Sequence, residues 1–371
     1  MHDWSADDHR YMARAIELAW LGELSCQPNP RVGCVIVRDG QIVGEGFHER
    51  AGEGHAEVNA LAQAGELAKG ATAYVTLEPC SHYGRTPPCA RALVDAGLAR
   101  VISAMQDPNP LVAGKGVSIL SDAGIQVELG LLEEQSKQLN IGFISRMTRK
   151  RPFVRLKMAA SVDGRTAMAS GESQWITGAA AREDVQAWRA KSSAILTGVG
   201  TVLYDNAKLT VRTDHLLDKR GFQPMRVVLD AHARLTGQEA VFENNAAVQY
   251  VVSEEAKVSP EIVGSQHVNV VRLALDAKGY FDLSALLHAL AEQEVNDLFV
   301  EAGESLSGSF IDQNCVDELL LYVAPKLMGH QAKALANLPF DRMGQAIDLD
   351  LKDVRQVGAD LRFQYQFKGA L

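Results

Sequence analysis

The sequence predicts an α/β protein with two domains, each built around its own sheet. The chain has 371 residues, which is more than one ordinary hydrophobic core accommodates. Short apolar runs typical of strands alternate with helical patterns in both halves of the chain. A run rich in cations interrupts the alternation over residues 146–157. These three observations place one α/β domain before this run and a second after it.

The first domain, which we place at residues 1–147, starts with a helix over the first 20 residues. Ser5 can cap this helix, and Asp7 and Asp8 favour its positively polarised end. Apolar runs at 31–37 and 41–47 are joined by Asp39-Gly40, a strong hairpin signal. Further along, the pattern predicts helices at 56–64, 88–96, 117–122 and 133–146, alternating with strands at 72–77, 100–105 and 125–129. A hairpin followed by such alternation predicts a three-layer α/β domain.

The domain boundary falls in residues 146–157, which hold six cations and Pro152. Charge runs are usually solvated, so we interpret this segment as a solvated linker. The second domain is placed at residues 150–371. The pattern predicts its helices at 179–190, at 283–294 and after Gly303, and its strands at 153–159, 193–197, 225–229, 249–252, 268–273, 297–300 and 319–324. This spacing predicts a mostly parallel sheet.

Composition excludes several classes of protein. With 47% hydrophobic and 22% charged residues, the chain is typical of a globular protein and not of a disordered or fibrous one. No apolar run is long enough for a transmembrane helix. The net charge of −9 argues against non-specific binding of nucleic acid, which requires clustered cations. A polar, acidic N-terminus and five sparse cysteines predict a reduced protein of the cytoplasm without a signal peptide.

A candidate zinc site lies in the first half. His55 opens a predicted helix, and Cys80 and Cys89, each preceded by proline, follow one strand later. One imidazole and two thiolates suit tetrahedral zinc and leave the fourth position to water, which is the catalytic arrangement. Glu57 points roughly 200° away from His55 on a helix, so it can approach that water and carry its proton. The alternative is two buried thiols beside an ordinary histidine.

These motifs resemble two known groups of proteins. The pattern H-x-E…P-C…C resembles the zinc-dependent cytidine deaminase superfamily. Eight residues separate the two cysteines of this pattern. This long spacer resembles the deaminase half of the bifunctional riboflavin-biosynthesis deaminase/reductase family. So do the surrounding segment TLEPCSHYGRTPPC at 76–89 and the segments PNPRVG at 28–33 and QDPNP at 106–110. The resemblance covers about residues 5–147 and implies a cytidine-deaminase-like fold.

The resemblance also implies roles for individual residues. His55, Cys80 and Cys89 would be the zinc ligands, and Glu57 the catalytic proton shuttle. The substrate contacts implied are Asn29, His48 and Arg85. Two of these have simpler interpretations: His48 as a surface residue of the hairpin, and Asn29 as a turn former between prolines. Cys26, Cys34 and Cys315 are predicted to have no ligand role.

Two glycine-rich stretches of the second half fail known nucleotide fingerprints. Leu203 replaces the third glycine of a Rossmann motif, and Ser309 replaces the lysine of a P-loop. Small residues after the strand at 297–300 can still offer backbone N–H groups to a diphosphate at a helix start. The alternative is a tight strand-to-helix turn.

The second half resembles the reductase half of the same family through LKMAASVDGR at 156–165, GESQWIT at 171–177, GVGTV at 198–202 and VEAG at 300–303. This implies a dihydrofolate-reductase-like α/β domain that uses NADPH, over about residues 150–371. The cofactor contacts implied are Ala159, Trp175, Thr201, Asp205, Gly303, Glu304, Ser305, Leu306, Ser307, Gly308 and Ser309. The substrate contacts implied are Ser173, Arg189, Leu209, Arg212 and Glu301.

Some of these side chains suit their implied roles chemically. Arg189 and Arg212 can hold a phosphate through forked hydrogen bonds, and Trp175 can offer a flat apolar wall. The alternatives are a salt bridge on a helix face for Arg189 and ordinary core packing for Trp175. Arg234 and Lys257 are the candidates in sequence for the 2′-phosphate of NADPH.

The resulting hypothesis is a cytoplasmic two-step enzyme of riboflavin biosynthesis. It deaminates 2,5-diamino-6-ribosylamino-4(3H)-pyrimidinone 5′-phosphate with one zinc ion per chain. It then reduces the ribose with NADPH to give 5-amino-6-ribitylaminouracil 5′-phosphate, with Asp205 or water as proton donor. We expect a phosphorylated pyrimidine as substrate, no nucleic acid or membrane partner, and a homo-oligomer, either dimer or tetramer. The rival hypotheses are a nucleic-acid base deaminase with an appended domain, and a zinc-stabilised binding protein with an inactive second half.

Overall fold

The computed structural model describes residues 4–81, 88–110, 112–243 and 246–369. The chain divides into two compact units, Met1–Lys150 and Arg151–Leu371. Within the described residues, no helix combines the length and the apolar character needed to cross a membrane.

The first unit has one five-stranded sheet with helices on both faces. The sheet has the order β2-β1-β3-β4-β5, antiparallel across β2-β1-β3 and parallel across β3-β4-β5. Its strands are β1 Gly33–Arg38, β2 Gln41–Phe47, β3 Thr72–Val75, β4 Arg100–Ser103 and β5 Gln126–Leu129. Its helices are α1 Ala6–Leu21, α2 Ala56–Ala64, α3 Cys89–Asp95, α4 Lys115–Asp122, α5 Glu133–Leu139 and α6 Ile141–Arg149.

Residues that alternate along β1 pack on opposite faces of the sheet. Cys34 and Ile36 belong to the cluster that includes α2, α3 and α4, whereas Val35 and Val37 belong to the cluster that includes α1. Strand side chains point alternately to the two faces. The predicted three-layer arrangement is therefore confirmed.

Two glycines let α2 approach the sheet closely. A Cβ on Gly44 would lie 2.2 Å from the Ala60 carbonyl oxygen, and one on Gly46 would lie 2.4 Å from the Ala56 oxygen. Only glycine leaves room for a backbone so near. The start of α2, which carries the candidate ligand His55 as its N-cap, is thereby fixed against β2.

The helix predicted at 133–146 is wrong as a single element, because the chain forms two helices with a break at Asn140. The Asn140 side chain accepts a hydrogen bond from the backbone nitrogen of Arg31 and donates one to the Arg31 carbonyl oxygen. Asparagine side chains often compete with helical hydrogen bonding in this way. Here the break ties the helical C-terminal part of the unit to the segment that precedes β1.

The second unit contains a nine-stranded sheet of order β11-β10-β9-β8-β12-β6-β13-β16-β15, and a two-stranded one, β14-β7. Its strands are β6 Phe153–Ser161, β7 Arg165–Ala167, β8 Ala194–Gly198, β9 Met225–Leu229, β10 Val248–Ser253, β11 Val268–Leu273, β12 Asp297–Glu301, β13 Glu318–Ala324, β14 Lys333–Ala334, β15 Leu349–Val357 and β16 Asp360–Phe367. Its helices are α7 Ala179–Lys191, α8 Val199–Asp205, α9 Asp214–Arg220, α10 Pro260–Val263, α11 Leu283–Glu292 and α12 Glu304–Asp312.

The large sheet is parallel from β11 to β13 and antiparallel across β13-β16-β15. Two hydrophobic clusters cover its faces, one with α11 and α12 and the other with α7 and α8. The mostly parallel sheet predicted from the sequence is confirmed. The sequence pattern did not reveal the C-terminal hairpin β15-β16, in which β15 is mostly exposed and β16 mostly half-buried.

The interpretation of residues 146–157 as a solvated linker is wrong. Helix α6 extends to Arg149 and β6 starts at Phe153, so little irregular chain remains between them. Arg155 is buried and pairs with Glu318 on the neighbouring strand β13. A charge run does not reveal its partners in the sequence, because they can lie far along the chain: the partner of Arg155 is 163 residues away.

Candidate active sites

Three side chains of the first unit converge on one point. His55 is the N-cap of α2, Cys80 follows β3, and Cys89 is the first residue of α3. His55 Nδ1 lies 3.2 Å from Cys89 Sγ and 3.6 Å from Cys80 Sγ, and the three ligand atoms lie within 4.8 Å of one another. One nitrogen and two sulfurs at this spacing fit a tetrahedral zinc ion with one position left open. The structure thus brings together the three residues that the sequence predicts as metal ligands.

The two thiols of the cluster have opposite acidities. Hydrogen bonds from the Cys89 thiol and then from His55 lower the pKa of Cys80, although burial opposes this. The same hydrogen bond to Cys80, together with burial, raises the pKa of Cys89. The backbone nitrogen of Cys89 also donates to Cys80 Sγ at 3.2 Å. In the absence of a metal, Cys80 is thus the thiolate of the pair, which is the form of sulfur that binds a metal, and Cys89 is the neutral thiol that donates to it.

Glu57 lies in the first turn of α2, next to the cluster but with only 3% of its surface exposed. Burial, and then the charge of Cys80, raises the pKa of Glu57 to about 7. A carboxyl group with a pKa near neutrality can both accept and release a proton. It forms a hydrogen bond with the Cys89 thiol, so its carboxylate stands beside the ligand atoms.

Glu78, which the sequence analysis did not single out, fixes the segment that carries Cys80. Its buried carboxylate accepts hydrogen bonds from the backbone nitrogens of Asp107, Gly114, Gly116 and Val117. These donors lie in the loop after β4 and at the start of α4. The signal in sequence was an acidic residue within an apolar strand end, directly before Pro79-Cys80.

His48 and Asn29 form a hydrogen-bonded pair beside the cluster. His48 is 2% exposed, so its interpretation as a surface hairpin residue is wrong. Its Nδ1 lies 3.1 Å from the Gly54 carbonyl oxygen, which requires the proton on Nδ1. Nε2 then accepts from Asn29 Nδ2 at 3.0 Å. The His48 ring meets the His55 ring edge to face at 5.1 Å between centroids, whereas Arg85 lies outside the described residues.

A cavity of about 550 Å³ lies in the second unit at the carboxyl ends of β6, β8 and β12. Ligands of open α/β sheets bind at this edge. The predicted site residues that line it are Ala159, Ser173, Trp175, Arg189, Thr201, Asp205, Leu209, Arg212, Glu301, Gly303, Glu304, Ser305 and Leu306. The structure thus brings together residues that lie between positions 159 and 306 of the sequence.

Three predicted cofactor residues do not line this cavity. Ser307 is fully buried and its hydroxyl donates to the Ala302 carbonyl oxygen. A Cβ on Gly308 would lie 2.1 Å from the Asn337 carbonyl oxygen, so this glycine serves close packing. Ser309 lines a second, neighbouring cavity. A helix turns its residues to different sides, so a consecutive run of seven cannot all face one ligand.

An ion pair stands at the base of the large cavity. Glu301, at the end of β12, pairs with Arg189 of α7, whose Nη1 also donates to the Thr210 carbonyl oxygen. Lys157 of β6 lines the same cavity, and burial lowers its pKa. Burial alone would raise the pKa of Glu301, but Arg189 and Lys157 lower it. Glu301 is therefore an anion held between cations.

Trp175 and two further arginines form the rim of this cavity. Trp175 is 59% exposed, so the alternative that assigned it to the core is wrong. The Arg182 guanidinium stacks on its ring at 4.4 Å from the centroid, and Arg182 Nη1 donates to the Thr177 carbonyl oxygen. Burial and the charge of Arg189 lower the pKa of Arg212, with a smaller effect of Arg182. Mutually repelling cations around one cavity provide a site for an anion.

The start of α12 offers backbone donors to the same cavity. Gly303 is its N-cap, no side chain caps the helix, and nothing lies within 4 Å of a Cβ built on Gly303. Gly303, Glu304 and Ser305 line the cavity. A helix start with open N–H groups suits a diphosphate. Together with the exposed face of Trp175, these residues fit a dinucleotide such as NADPH.

Cavity-lining residues that the sequence analysis missed include Lys157, Arg182, Tyr204, Lys208 and Lys333. Lys157 lies in the segment 156–165, which carries part of the family resemblance, so the sequence contained a signal that could have identified it as a site residue. Lys333 and Lys208 had no such signal, because only the folding of distant segments places them at the cavity.

Two family models match separate parts of the chain, one on each side of the boundary between the compact units. Residues 5–105 match the model of the cytidine and deoxycytidylate deaminase zinc-binding region. Residues 152–363 match the model of the RibD C-terminal domain.

Full-length relatives match over nearly the whole chain. The riboflavin biosynthesis protein RibD of Escherichia coli is 49% identical over 364 residues, covering 95% of this chain and 98% of its own. That of Haemophilus influenzae is 48% identical, and both chains are covered completely.

Two solved structures are similar to this chain over nearly its whole length. RibD of Acinetobacter baumannii superposes with a TM-score of 0.91 at 48% identity, covering 98% of this chain and 99% of its own. The Thermotoga maritima diaminohydroxyphosphoribosylaminopyrimidine deaminase/5-amino-6-(5-phosphoribosylamino)uracil reductase superposes with a TM-score of 0.84 at 36% identity, covering 97% of this chain and 99% of its own.

Proposed function

The chain belongs to the RibD family of bifunctional riboflavin-biosynthesis enzymes, and on that premise we propose which of its residues perform the two reactions. It is a deaminase and a reductase, and it carries the zinc-binding region in its first unit and the NADPH-dependent reductase domain in its second. The single observation that carries the assignment of residues is the convergence of His55, Cys80 and Cys89 beside the buried carboxyl group of Glu57.

In the first unit, His55, Cys80 and Cys89 would hold the zinc ion. Zinc with an open position acts as a Lewis acid that lowers the pKa of bound water. Glu57 takes a proton from the attacking water on its carboxylate and passes it to the departing amino group. The C–N bond of the pyrimidine breaks, a carbonyl group forms at that carbon, and ammonia leaves.

The proposed substrate is a 2,5-diaminopyrimidinone that carries a ribosyl phosphate. Asn29 and His48 are proposed to contact its polar groups, and their hydrogen bond at 3.0 Å, which orients the Asn29 amide, supports this. Arg85 is proposed as the partner of the phosphate, because an arginine can bind phosphate through two donors at once.

In the second unit, NADPH would, when bound, supply the hydride that reduces C1 of the ring-opened ribose, and Asp205 or water is proposed to donate the accompanying proton. Ala159, Trp175, Thr201, Asp205 and the start of α12 at 303–306 are proposed to hold the cofactor. Ser173, Leu209, Arg212 and Glu301 are proposed to hold the substrate. Because the donors of Arg189 are engaged by Glu301 and Thr210, we assign the phosphate contact chiefly to Arg212 and give Arg189 the task of positioning Glu301.

The experiment couples both reactions on the full chain. The diaminopyrimidinone phosphate is supplied with NADPH, and ammonia release is followed together with the absorbance of NADPH. We expect equal amounts of ammonia formed and NADPH oxidised. Ammonia without NADPH oxidation would refute the assignment of the second cavity, and NADPH oxidation with no ammonia would refute that of the first.

We further propose a cytoplasmic homo-oligomer, either dimer or tetramer. The hairpin β15-β16 at one edge of the large sheet exposes apolar side chains, with Leu351 at 54%, Val354 at 49% and Leu361 at 43%. An exposed sheet edge of this kind favours pairing with another chain. Light scattering on the protein and on a Leu351→Lys, Val354→Lys double variant tests this, and a mass unchanged between the two would argue against the edge.

A further inference from the structure

A second cavity of about 290 Å³ adjoins the large one in the reductase unit, with which it shares the lining residues Gly198, Gly200, Ser305 and Leu306. The two cavities thus meet at the N-terminal turn of α12. A diphosphate at that turn would have one space on each side of it. This is the arrangement that a dinucleotide requires.

The walls of the second cavity are mostly apolar. They include Leu229 at the end of β9, Tyr280, Phe281, Leu283 and Leu306. Aliphatic and aromatic walls of this size suit a flat purine ring. The cofactor fits with its adenosine half here and its nicotinamide half beside Trp175 in the larger cavity.

Two basic side chains line this apolar space, His232 and Arg234, and no acidic side chain is among the described residues that line it. Both belong to the loop after β9. Asp230, which is fully buried, orders that loop: its Oδ2 accepts from the backbone nitrogens of Arg234 and Leu235 and from the Tyr250 hydroxyl.

The Arg234 guanidinium is held on one side and open on the other. Nε lies 3.5 Å from Asp230 Oδ1, and the side chain is 52% exposed. Its two terminal nitrogens have no hydrogen-bond partner within the part of the chain that the structure describes. A guanidinium anchored through Nε presents its terminal N–H groups as a pair, which matches two oxygens of a phosphate.

Lys257, the other cation near in sequence, is exposed and lines neither cavity. The structure therefore separates two candidates that the sequence left equal. We infer that Arg234 binds the 2′-phosphate of NADPH and determines the preference for NADPH over NADH. This inference rests on the proposed placement of the cofactor in the second unit.

The test measures binding, without turnover. Isothermal titration calorimetry of the full chain compares adenosine 2′,5′-bisphosphate with adenosine 5′-diphosphate, which lacks the 2′-phosphate. The variants are Arg234→Gln and, as matched control, Lys257→Gln. We expect the wild type to prefer the 2′-phosphorylated probe, and Arg234→Gln to lose roughly ten- to hundredfold of that preference, the size expected for a charge-assisted hydrogen bond.

Lys257→Gln should retain the wild-type preference. If Arg234→Gln retained the preference for the 2′-phosphorylated probe, or Lys257→Gln lost it, the inference would be overturned, but the proposed placement of the cofactor would not be affected. Failure of both probes to bind the wild type would overturn the placement of the cofactor and this inference with it.

A measurement without any variant covers the case in which Arg234→Gln does not fold. Raising the salt concentration should weaken binding of the 2′-phosphorylated probe to the wild type more than binding of adenosine 5′-diphosphate, because screening weakens the additional ion pair. Equal salt dependence of the two probes would contradict the inference.

Discussion

The guanidinium of Arg189 holds the carboxylate of Glu301 through two parallel hydrogen bonds, 2.6 Å from Nε to Oε1 and 3.1 Å from Nη2 to Oε2. The side chains are only 11% and 14% exposed, so the pair is largely shielded from water. A two-point pair of this kind fixes the carboxylate in orientation as well as in charge. It joins the last turn of α7 to the end of β12 at the base of the reductase cavity.

Glu301→Gln should therefore damage the second reaction and leave the first intact. The change leaves Arg189 without its counter-charge, and breaking one partner of a buried pair costs about 3–5 kcal/mol. We expect NADPH oxidation with the deaminated pyrimidine to fall at least ~10-fold, while ammonia release stays at the wild-type rate.

Asp348→Asn is the matched control for that experiment. It removes an ion pair with Lys368 in the same unit, but both side chains are more than half exposed, so its loss should cost less than about 1 kcal/mol. Equal loss of reductase activity in both variants would mean that the Arg189–Glu301 geometry has no special role.

Glu57→Gln should abolish ammonia release while zinc stays bound. The amide keeps the size of the side chain but can no longer accept the proton, a loss of roughly 10²–10⁴-fold in rate. Zinc content by atomic emission should equal that of the wild type. Reduction of the supplied deaminated pyrimidine should also be unchanged. Unaltered ammonia release would refute the role of Glu57.

Cys80→Ser and Cys89→Ser should each lose zinc and deaminase activity, because a serine hydroxyl replaces an anionic sulfur ligand. Cys315→Ala, which removes a buried thiol in the other unit, should keep the full zinc content. Zinc analysis after dialysis checks both. A chelator should abolish ammonia release from the wild type but leave NADPH oxidation unchanged when the deaminated pyrimidine is supplied directly, and the reverse pattern would contradict the site.

Acid should destabilise the first unit through Asp8. Burial raises the pKa of this carboxyl group, but hydrogen bonds from Tyr74, Ser5 and Arg100 outweigh burial and set it to about 2, below its ordinary value of 3.8. The folded state thus binds the proton less tightly than the unfolded state. The ionised Asp8 carboxylate therefore stabilises the folded state by about 2 kcal/mol above pH ~4, and this stabilisation is lost as the pH falls towards ~2.

Asp8→Asn checks this sign by urea unfolding across that pH range. The free energy of unfolding of the variant should be lower than that of the wild type near neutral pH, and the two should converge at low pH. Asp7→Asn changes a carboxylate that is 65% exposed and should leave the pH dependence unaltered. A constant difference between Asp8→Asn and the wild type would contradict the lowered pKa.

Much of the architecture was predictable from local pattern. The bounds of α2, β9 and β11 agree with the predicted ones residue for residue, because each is a short apolar or amphipathic run with clear breakers at both ends. The hairpin at Asp39-Gly40 was equally local, since both residues adopt positive φ angles that suit this dipeptide. The hairpin β15-β16 was not predicted, because β15 is mostly exposed, β16 is mostly half-buried, and neither strand alternates regularly between buried and exposed residues.

The sequence by itself indicated the chemistry of the metal site in the first unit. The residue types at 55, 57, 80 and 89 specify zinc and a proton carrier, because few other sets of side chains serve that purpose. The first two of these residues lie at the start of a predicted helix and the other two follow a predicted strand. This order along the chain was enough to predict that all four belong to one site.

Only the tertiary structure decided which charges act together. Arg189 meets Glu301 across 112 residues, Arg155 is buried against Glu318, and Arg234 lines a cavity that Lys257 does not reach. The energy of a charge depends on its distance to partners and on its exposure to water, and both quantities are set by segments far apart in sequence. The sequence therefore gives the type of each charged residue, but its role depends on the partners and the exposure to water that the tertiary structure sets.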